Sequence, residues 1–300
     1  MPSRELDEPR ARTLLREACR VAAISPERER LIRIGSNAIF RLADPVVVRI
    51  SRHGADIESA RRTVQAARWL ESAGYPAVRV FNVAAGQPVI VEGHAITFWR
   101  PVSDGRDTYA STSQLAELLA QLHRLTPPGA VGLSELQPFE NAERRISANE
   151  WLTPHDRRYL SGLFEDLRDA YAELKFVLPD GVIHGDANVG NVLLDFDGKP
   201  VVIDLDGFAI GPREWDLALT AIYYESFGWH TREEYEMFAR GYGVDIMDWS
   251  GYPVMRAVRE FLMVTWIAQK AADDRRAEAE VRKRITALRS GASRRDWKPF

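Results

Sequence analysis

Cysteine is nearly missing from this 300-residue chain: Cys19 stands alone, so no internal disulfide can staple the fold. Its place in a helical apolar pattern marks it as a buried thiol, and a reducing cytoplasm is the expected compartment. Long apolar runs are missing too. None approaches the roughly 20 residues that cross a bilayer, so no membrane partner is expected. The opening residues, Met-Pro-Ser-Arg-Glu-Leu-Asp-Glu, are charged and lack the apolar segment of a secretory signal. Charge of one sign is not in excess: 40 Lys and Arg stand against 43 Asp and Glu, a net charge of −3. Without a sustained basic stripe, nucleic acid is not an expected partner either. The Arg-rich stretch 273–294 carries both signs and reads as a helix with a solvated face. Internal repeats and low-complexity tracts are lacking. What is left is the composition of a soluble globular protein, 45% hydrophobic and 28% charged, long enough for one large or two modest domains.

Apolar periodicity divides the chain. Residues 9–24 place Leu14, Leu15, Ala18, Val21 and Ala22 at helical spacing. The period then shortens: residues 31–34, 38–42 and 46–50 read as strands, jointed at Gly35-Ser36-Asn37 and Ala43-Asp44-Pro45. A helix over 55–73 stops at Gly74 with Pro76 beyond it, and strands follow near 88–91 and 94–99. From Ser113 onward helices are expected near 113–125, 139–150, 154–178, 213–227, 231–241 and 253–290. The stretch 99–108, rich in Pro, Gly, Ser and Asp, is the natural joint. The expectation is an α+β fold of two lobes with one cleft. Residues 1–100 would form a small antiparallel sheet with a helix on one face, and residues 101–300 a mainly helical lobe.

Among those helices lies the stretch 182–206, which contains His-Gly-Asp-Ala-Asn-Val-Gly-Asn and ends in Val-Ile-Asp-Leu-Asp. Val192-Leu193-Leu194 and Val201-Val202-Ile203 are short aliphatic strands about a turn at Asp197-Gly198, a small hairpin. Such a hairpin would hold Asp186, Asn191 and Asp204 close together. An Asp, an Asn five residues on and an Asp just past a hairpin form a layout used for phosphoryl transfer from nucleotide and Mg²⁺. One carboxylate takes the substrate hydroxyl's proton, while the amide and the second carboxylate hold the metal on the phosphates. Gly185 permits a backbone geometry that other residues resist. Asp204 closes an apolar strand, where a carboxylate needs a cation or donors, and hard Mg²⁺ meets that need. Asp206 has three open roles: second metal contact, substrate contact, or anion at a helix start. Asp216, just inside a helix, serves either the loop or the helix amino terminus.

These residues resemble the aminoglycoside phosphotransferase family, relatives of the choline kinases and protein kinases. The stretch from His184 to Leu193 is similar to that family's catalytic loop, and Val202 to Asp206 to its metal-binding segment. Pro212 to Ala218 is similar to the helix start that follows. The likeness runs from about Leu31 to the last helices and is sharp only between 182 and 218. It implies a bilobal protein-kinase-like fold and a small-molecule kinase with Asp186 as catalytic base and Asn191 and Asp204 as Mg²⁺ ligands. In that loop type the position of His184 is a structural hydrogen-bonding post.

The nucleotide side follows the pattern less closely. The first turn offers Gly35, Ser36 and Asn37 with a single glycine, and the strand offers Arg49 where a lysine is typical. Arginine can contact phosphates through its own fork of donors. Thr63 aligns with the usual helix glutamate, and Glu58 lies more than a turn earlier. The nucleotide base is expected against the connector around Phe98, Trp99 and Arg100.

For the acceptor, Tyr223, Tyr224, Glu225, Trp229, Asp245, Asp248, Tyr252 and Trp266 are the aromatic and acidic candidates, with Asp206 as a further substrate contact. Acidic side chains would suit a polycationic sugar. The function expected is transfer of the γ-phosphate of ATP or GTP to a hydroxyl of an aminoglycoside-like or other antibiotic, an aminosugar or an amino alcohol. One alternative is a kinase-like nucleotide-binding module with impaired transfer, suggested by the substituted lysine and glutamate. The other is a two-metal phosphohydrolase built on His184, Asp186, Asp204 and Asp206, which six scattered histidines support poorly. Sequence does not choose between ATP and GTP, and it is silent on oligomeric state.

Overall fold

A computed structural model describes residues 6–35, 37–43, 45–52, 54, 57–103, 105 and 108–300, apart from the side chain of Ala130. In chain order the elements begin with helix α1 (Glu8–Ala22), strands β1 (Arg30–Ile34), β2 (Asn37–Arg41) and β3 (Val47–Ser51), helix α2 (Ile57–Ser72), and strands β4 (Val89–Val91) and β5 (His94–Trp99). Helices α3 (Thr112–Leu122), α4 (Ala142–Ser147) and α5 (Pro154–Ala172) follow. Then come strands β6 (Asp180–Ile183), β7 (Val192–Leu194), β8 (Pro200–Val202) and β9 (Ala209–Pro212). Helices α6 (Glu214–Ile222), α7 (Arg232–Tyr242), α8 (Tyr252–Ala268) and α9 (Arg275–Ser290) complete the chain. Among the described residues no helix is long and apolar enough to cross a membrane.

Compactness divides the chain into two units, and elsewhere than at residue 100. One unit takes Met1–Ala110, Leu125–Ser134 and Val189–Phe208; the other takes Ser111–Arg124, Glu135–Asn188 and Ala209–Phe300. The β7–β8 hairpin joins the first unit because backbone bonds tie it there. Val78 N–H donates to Val202 O at 2.8 Å and Leu194 N–H to Thr108 O at 2.7 Å.

In the first unit, β1 to β5 form an antiparallel sheet in the order β1-β2-β3-β5-β4, apart from the β7–β8 hairpin. Side chains alternate between its faces. Phe40, Val48, Ile50, Ile96 and Phe98 point to one face and share a core with Leu14, Leu15, Ala18 and Cys19 of α1. Asn37, Arg49, Ser51, Thr97 and Trp99 take the other face, where Ser59, Ala60 and Thr63 of α2 meet them. Helices therefore cover both faces, not one, and β5 is buried at every position.

In the second unit, β6 pairs antiparallel with β9, with Ile183 opposite Ala209. Helix α8 packs against α4, α5, α6 and α9. The single helix expected over 253–290 is two, because Asp274 caps a new start: its carboxylate accepts from Arg276 N at 2.7 Å and Ala277 N at 3.2 Å. The α9 face is only partly solvated. Arg284 is 2% exposed, bonded to Glu280 at 2.9 Å, with its guanidinium 4.7 Å from the Trp297 ring centre.

Candidate active site

Strand β6 ends at Ile183 and delivers His184-Gly185-Asp186 into a loop whose backbone is held at nearly every polar group. Gly185 has φ +83°, a left-handed conformation that a side chain would strain. The Asp216 carboxylate, on the first turn of α6, accepts from His184 N at 2.7 Å and Gly185 N at 2.8 Å, and contacts His123 Nε2 at 3.1 Å. Of its two expected roles, Asp216 takes that of serving the loop. Burial alone would raise its pKa, but the hydrogen bond and charge of His123, with His184, hold it below the usual carboxylate value. His184 is buried, and its Nδ1 accepts the Asp186 N–H at 3.2 Å, so the ring is a hydrogen-bonding post. The Asp186 carboxylate itself is 59% exposed.

Two residues around this loop were not among the site candidates drawn from the sequence. Trp215 donates from Nε1 to the Gly185 carbonyl at 2.8 Å, and Arg259, from α8, donates to the same oxygen at 3.2 Å. A cation inside the apolar run Val258, Phe261 and Val264 of α8 was the only hint available.

The first unit carries Asn191, Asp204 and Arg49. Ile203 N–H donates to Asn191 O at 2.9 Å, so the residue before Asp204 is bonded to Asn191 across the base of the β7–β8 hairpin. Asp204 has φ +57°, a left-handed backbone uncommon outside glycine, and a carboxylate 43% exposed. The side chains of Asn191 and Asp204 offer oxygen donors of the kind a hard Mg²⁺ takes, an ion that uses one or two protein carboxylates and completes its shell with phosphates and water. Among the described residues no group of three or more His, Cys, Asp and Glu side chains is placed to hold a metal ion.

Arg49 points from β3 toward that segment. Its Nη1 donates to Asp206 Oδ1 at 2.8 Å, its Nη2 bonds Oδ2, and Asp204 Oδ1 lies 3.9 Å from Nη1. In the amide orientation its neighbours require, Asn37 accepts from Nη2 at 2.7 Å and Nε at 3.0 Å. Thr63 of α2 bonds Asp206 at 3.2 Å. Burial works to lower the Arg49 pKa, but Asp206 and Asp204 more than offset it and the value is raised. Arg49 is therefore an ion-paired residue, not a plain sheet-surface one.

The other nucleotide candidates separate. Gly35 offers its carbonyl to Arg52 at 3.1 Å, and Ser36 lies outside the described residues. Trp99 lines the same cavity as Arg49 and Asp206, about 160 Å³ in volume, with Nε1 donating to Thr97 at 2.8 Å. Phe98 does not line it: strand parity turns its ring into the α1 core, and its N–H is taken by Gln87 at 2.6 Å. Arg100 is exposed, with its N–H bonded to Arg79 O at 2.8 Å.

Of the acceptor candidates, Tyr223, Tyr224 and Glu225 share one π-helical turn after α6. Tyr223 packs on Trp229 at 4.7 Å, and burial with the charge of Asp186 pushes its pKa up to about 12. Tyr224 stacks on Tyr235 at 5.2 Å. The expected acids are already engaged: Glu225 accepts from Tyr252 at 3.0 Å and Arg256 at 2.9 Å, while Asp245 is bonded by Tyr235. Asp248 is exposed, and Trp266 carries the Lys270 ammonium 3.9 Å from its ring centre.

A family model described as the phosphotransferase enzyme family matches residues 30–261. The chain belongs to that family. Solved structures share its fold at low identity. An amicoumacin kinase, hAmiN, in complex with AMP-PNP, Ca²⁺ and Ami, has a TM-score of 0.71 at 15% identity, covering 98% of this chain and 96% of its own. A choline/ethanolamine kinase family protein from Mesorhizobium loti scores 0.63 at 16% identity, covering 92% and 93%. A spectinomycin phosphotransferase in complex with ADP and spectinomycin scores 0.64 at 15%, with coverage again of 92% and 93%. No curated protein matches the chain in sequence.

Proposed function

We propose that this phosphotransferase moves the γ-phosphate of ATP or GTP to a hydroxyl of a small antibiotic, aminosugar or amino alcohol in the cytoplasm. The observation that carries the assignment is the pinned His184–Asp186 loop, which presents an exposed carboxylate on a backbone fixed by Asp216. Asp186 orients the acceptor hydroxyl and takes its proton. Asn191 and Asp204 are the residues that would hold Mg²⁺, which when bound neutralises charge on the phosphates. Arg49 and Trp99 serve the nucleotide from the β3–β5 face. An amicoumacin kinase, a spectinomycin phosphotransferase and a choline/ethanolamine kinase family protein share the fold, which supports this range of acceptors. The engagement of Glu225 and Asp245 by their own neighbours weighs against a highly polycationic acceptor.

ADP release from MgATP and GDP release from MgGTP, measured across hydroxyl-bearing antibiotics, aminosugars and amino alcohols, test the proposal. Asp186→Asn and Asp204→Asn should each lower turnover by at least about 100-fold with an unchanged circular dichroism spectrum. Turnover near the parent's in either variant would remove the assigned role. One second possibility is a module that binds nucleotide without transferring it, for which Arg49 and Thr63 in place of the usual lysine and glutamate are the support. Nucleotide-dependent thermal stabilisation with no ADP release on any acceptor would be its signature.

A further inference from the structure

Arg259 is a charged side chain only 8% exposed, and a guanidinium in that position must be matched on its edges or be very costly. Three partners match it. Its Nη1 donates to the Gly185 carbonyl at 3.2 Å, its plane lies over the Trp215 ring with Cζ 4.3 Å from the centre, and its Nη2 stands 3.7 Å from Asp186 Oδ1. The Gly185 carbonyl also takes the Trp215 Nε1–H, while the Asp186 N–H donates to His184 Nδ1 at 3.2 Å. The peptide that precedes Asp186 is therefore clamped on both sides. Burial pulls the Arg259 pKa down against the opposing charges of Asp186 and Asp216, yet a guanidinium stays protonated at neutral pH.

We infer that Arg259 is a positioning residue for Asp186, holding the Gly185–Asp186 backbone with one nitrogen and setting a fixed positive charge beside the carboxylate with the other. The inference rests on Asp186 being the base of the transfer reaction. Only a planar fork can address a carbonyl, a carboxylate and an indole face at once; an ammonium is a single point charge. A reacting group displaced by about 1 Å loses about 100-fold in rate, which is the scale of effect such a clamp controls.

The test uses the full chain as Arg259→Met and Arg259→Lys, with two readouts. Amide hydrogen exchange at Gly185 and Asp186 should quicken about tenfold in Arg259→Met, with amides of the β1–β5 sheet unchanged. ADP release from MgATP, with choline, kanamycin or water as acceptor, should show kcat down about 100-fold and KM for ATP within about twofold. Arg259→Lys should fall between wild type and Arg259→Met in both. Unchanged exchange in the loop, exchange quickened uniformly along the chain, or wild-type kcat in Arg259→Met would each overturn the inference. A wild-type protein that released no ADP would count against the transferase assignment instead, and the exchange measurement would still decide whether Arg259 holds the loop.

Discussion

Arg49 and Asp206 meet fork to fork, the Nη1–Oδ1 bond at 2.8 Å, while Asn37 occupies the guanidinium's other two-donor edge. The carboxylate partner of the strand cation thus comes from the segment just past Asp204, and α2 contributes only the Thr63 hydroxyl to the same carboxylate. A strand, a helix and the 204–206 turn are joined through one acidic side chain. A phosphate seeking either two-pronged edge of Arg49 would have to displace Asp206 or Asn37.

Asp206→Asn should therefore act in two directions. It removes the counter-ion of a largely buried guanidinium, with an expected loss of about 1–2 kcal/mol in urea unfolding, discounted because the carboxylate is 44% exposed. It also frees the Arg49 fork, so ATP binding measured by calorimetry in EDTA should tighten severalfold. Equal or weaker binding would show that Arg49 does not meet the phosphates.

Asp216 should govern acid stability of the second unit. Its folded pKa is depressed, so the stability it contributes is fully present above the unfolded carboxylate value of about 4 and is lost as pH falls through the folded value. At pH 7, Asp216→Asn should cost about 2–4 kcal/mol, since three contacts converge on a fully buried carboxylate. The gap between variant and wild type should close in urea midpoints taken from pH 5 down to pH 2. A gap that stays constant over that range would contradict the assignment.

Asp204 should separate stability from turnover. Its φ of +57° costs an L-residue roughly 1 kcal/mol that glycine does not incur. Asp204→Gly is expected to unfold no more easily than Asp204→Ala, and the difference should favour glycine by about 1 kcal/mol. Both should be inactive in ADP release. Chemical denaturation that ranks alanine above glycine would refute the conformational part.

Cys19 lies fully buried in the α1 face of the sheet, and burial, with the charge of Glu29, pushes its thiol up to about 11. The native protein should react with a thiol reagent such as DTNB only as fast as it opens, and at the usual rate once unfolded in urea. Prompt reaction of the folded protein would mean that α1 frays from the sheet.

Much of the candidate site could be proposed from the sequence because its chemistry is local. Asp186, Asn191 and Asp204 sit at short spacings, and a two-stranded hairpin brackets the last two whatever surrounds it. The tripled role of Asp206 was not resolvable that way, since its partners Arg49 and Thr63 lie 157 and 143 residues away. Phe98 misled for a different reason. Strand β5 is buried on both faces, so no alternation of polar and apolar residues reveals which way Phe98 and Trp99 point. The break between α8 and α9 hid because residues 269–274 keep a helical composition, and only the capping geometry of Asp274 ends the run.

By itself the sequence determined the strand and helix periods, the shielded single cysteine and the acidic-amide-acidic spacing, all of which depend on near neighbours and the geometry of one element. The tertiary structure alone decided which carboxylate answers Arg49, which face of the sheet each β5 ring takes, and that Arg259 from a distant helix grips the Asp186 loop. Those outcomes depend on how elements pack, where desolvated charge has to find its counterpart, and chain spacing carries no record of that.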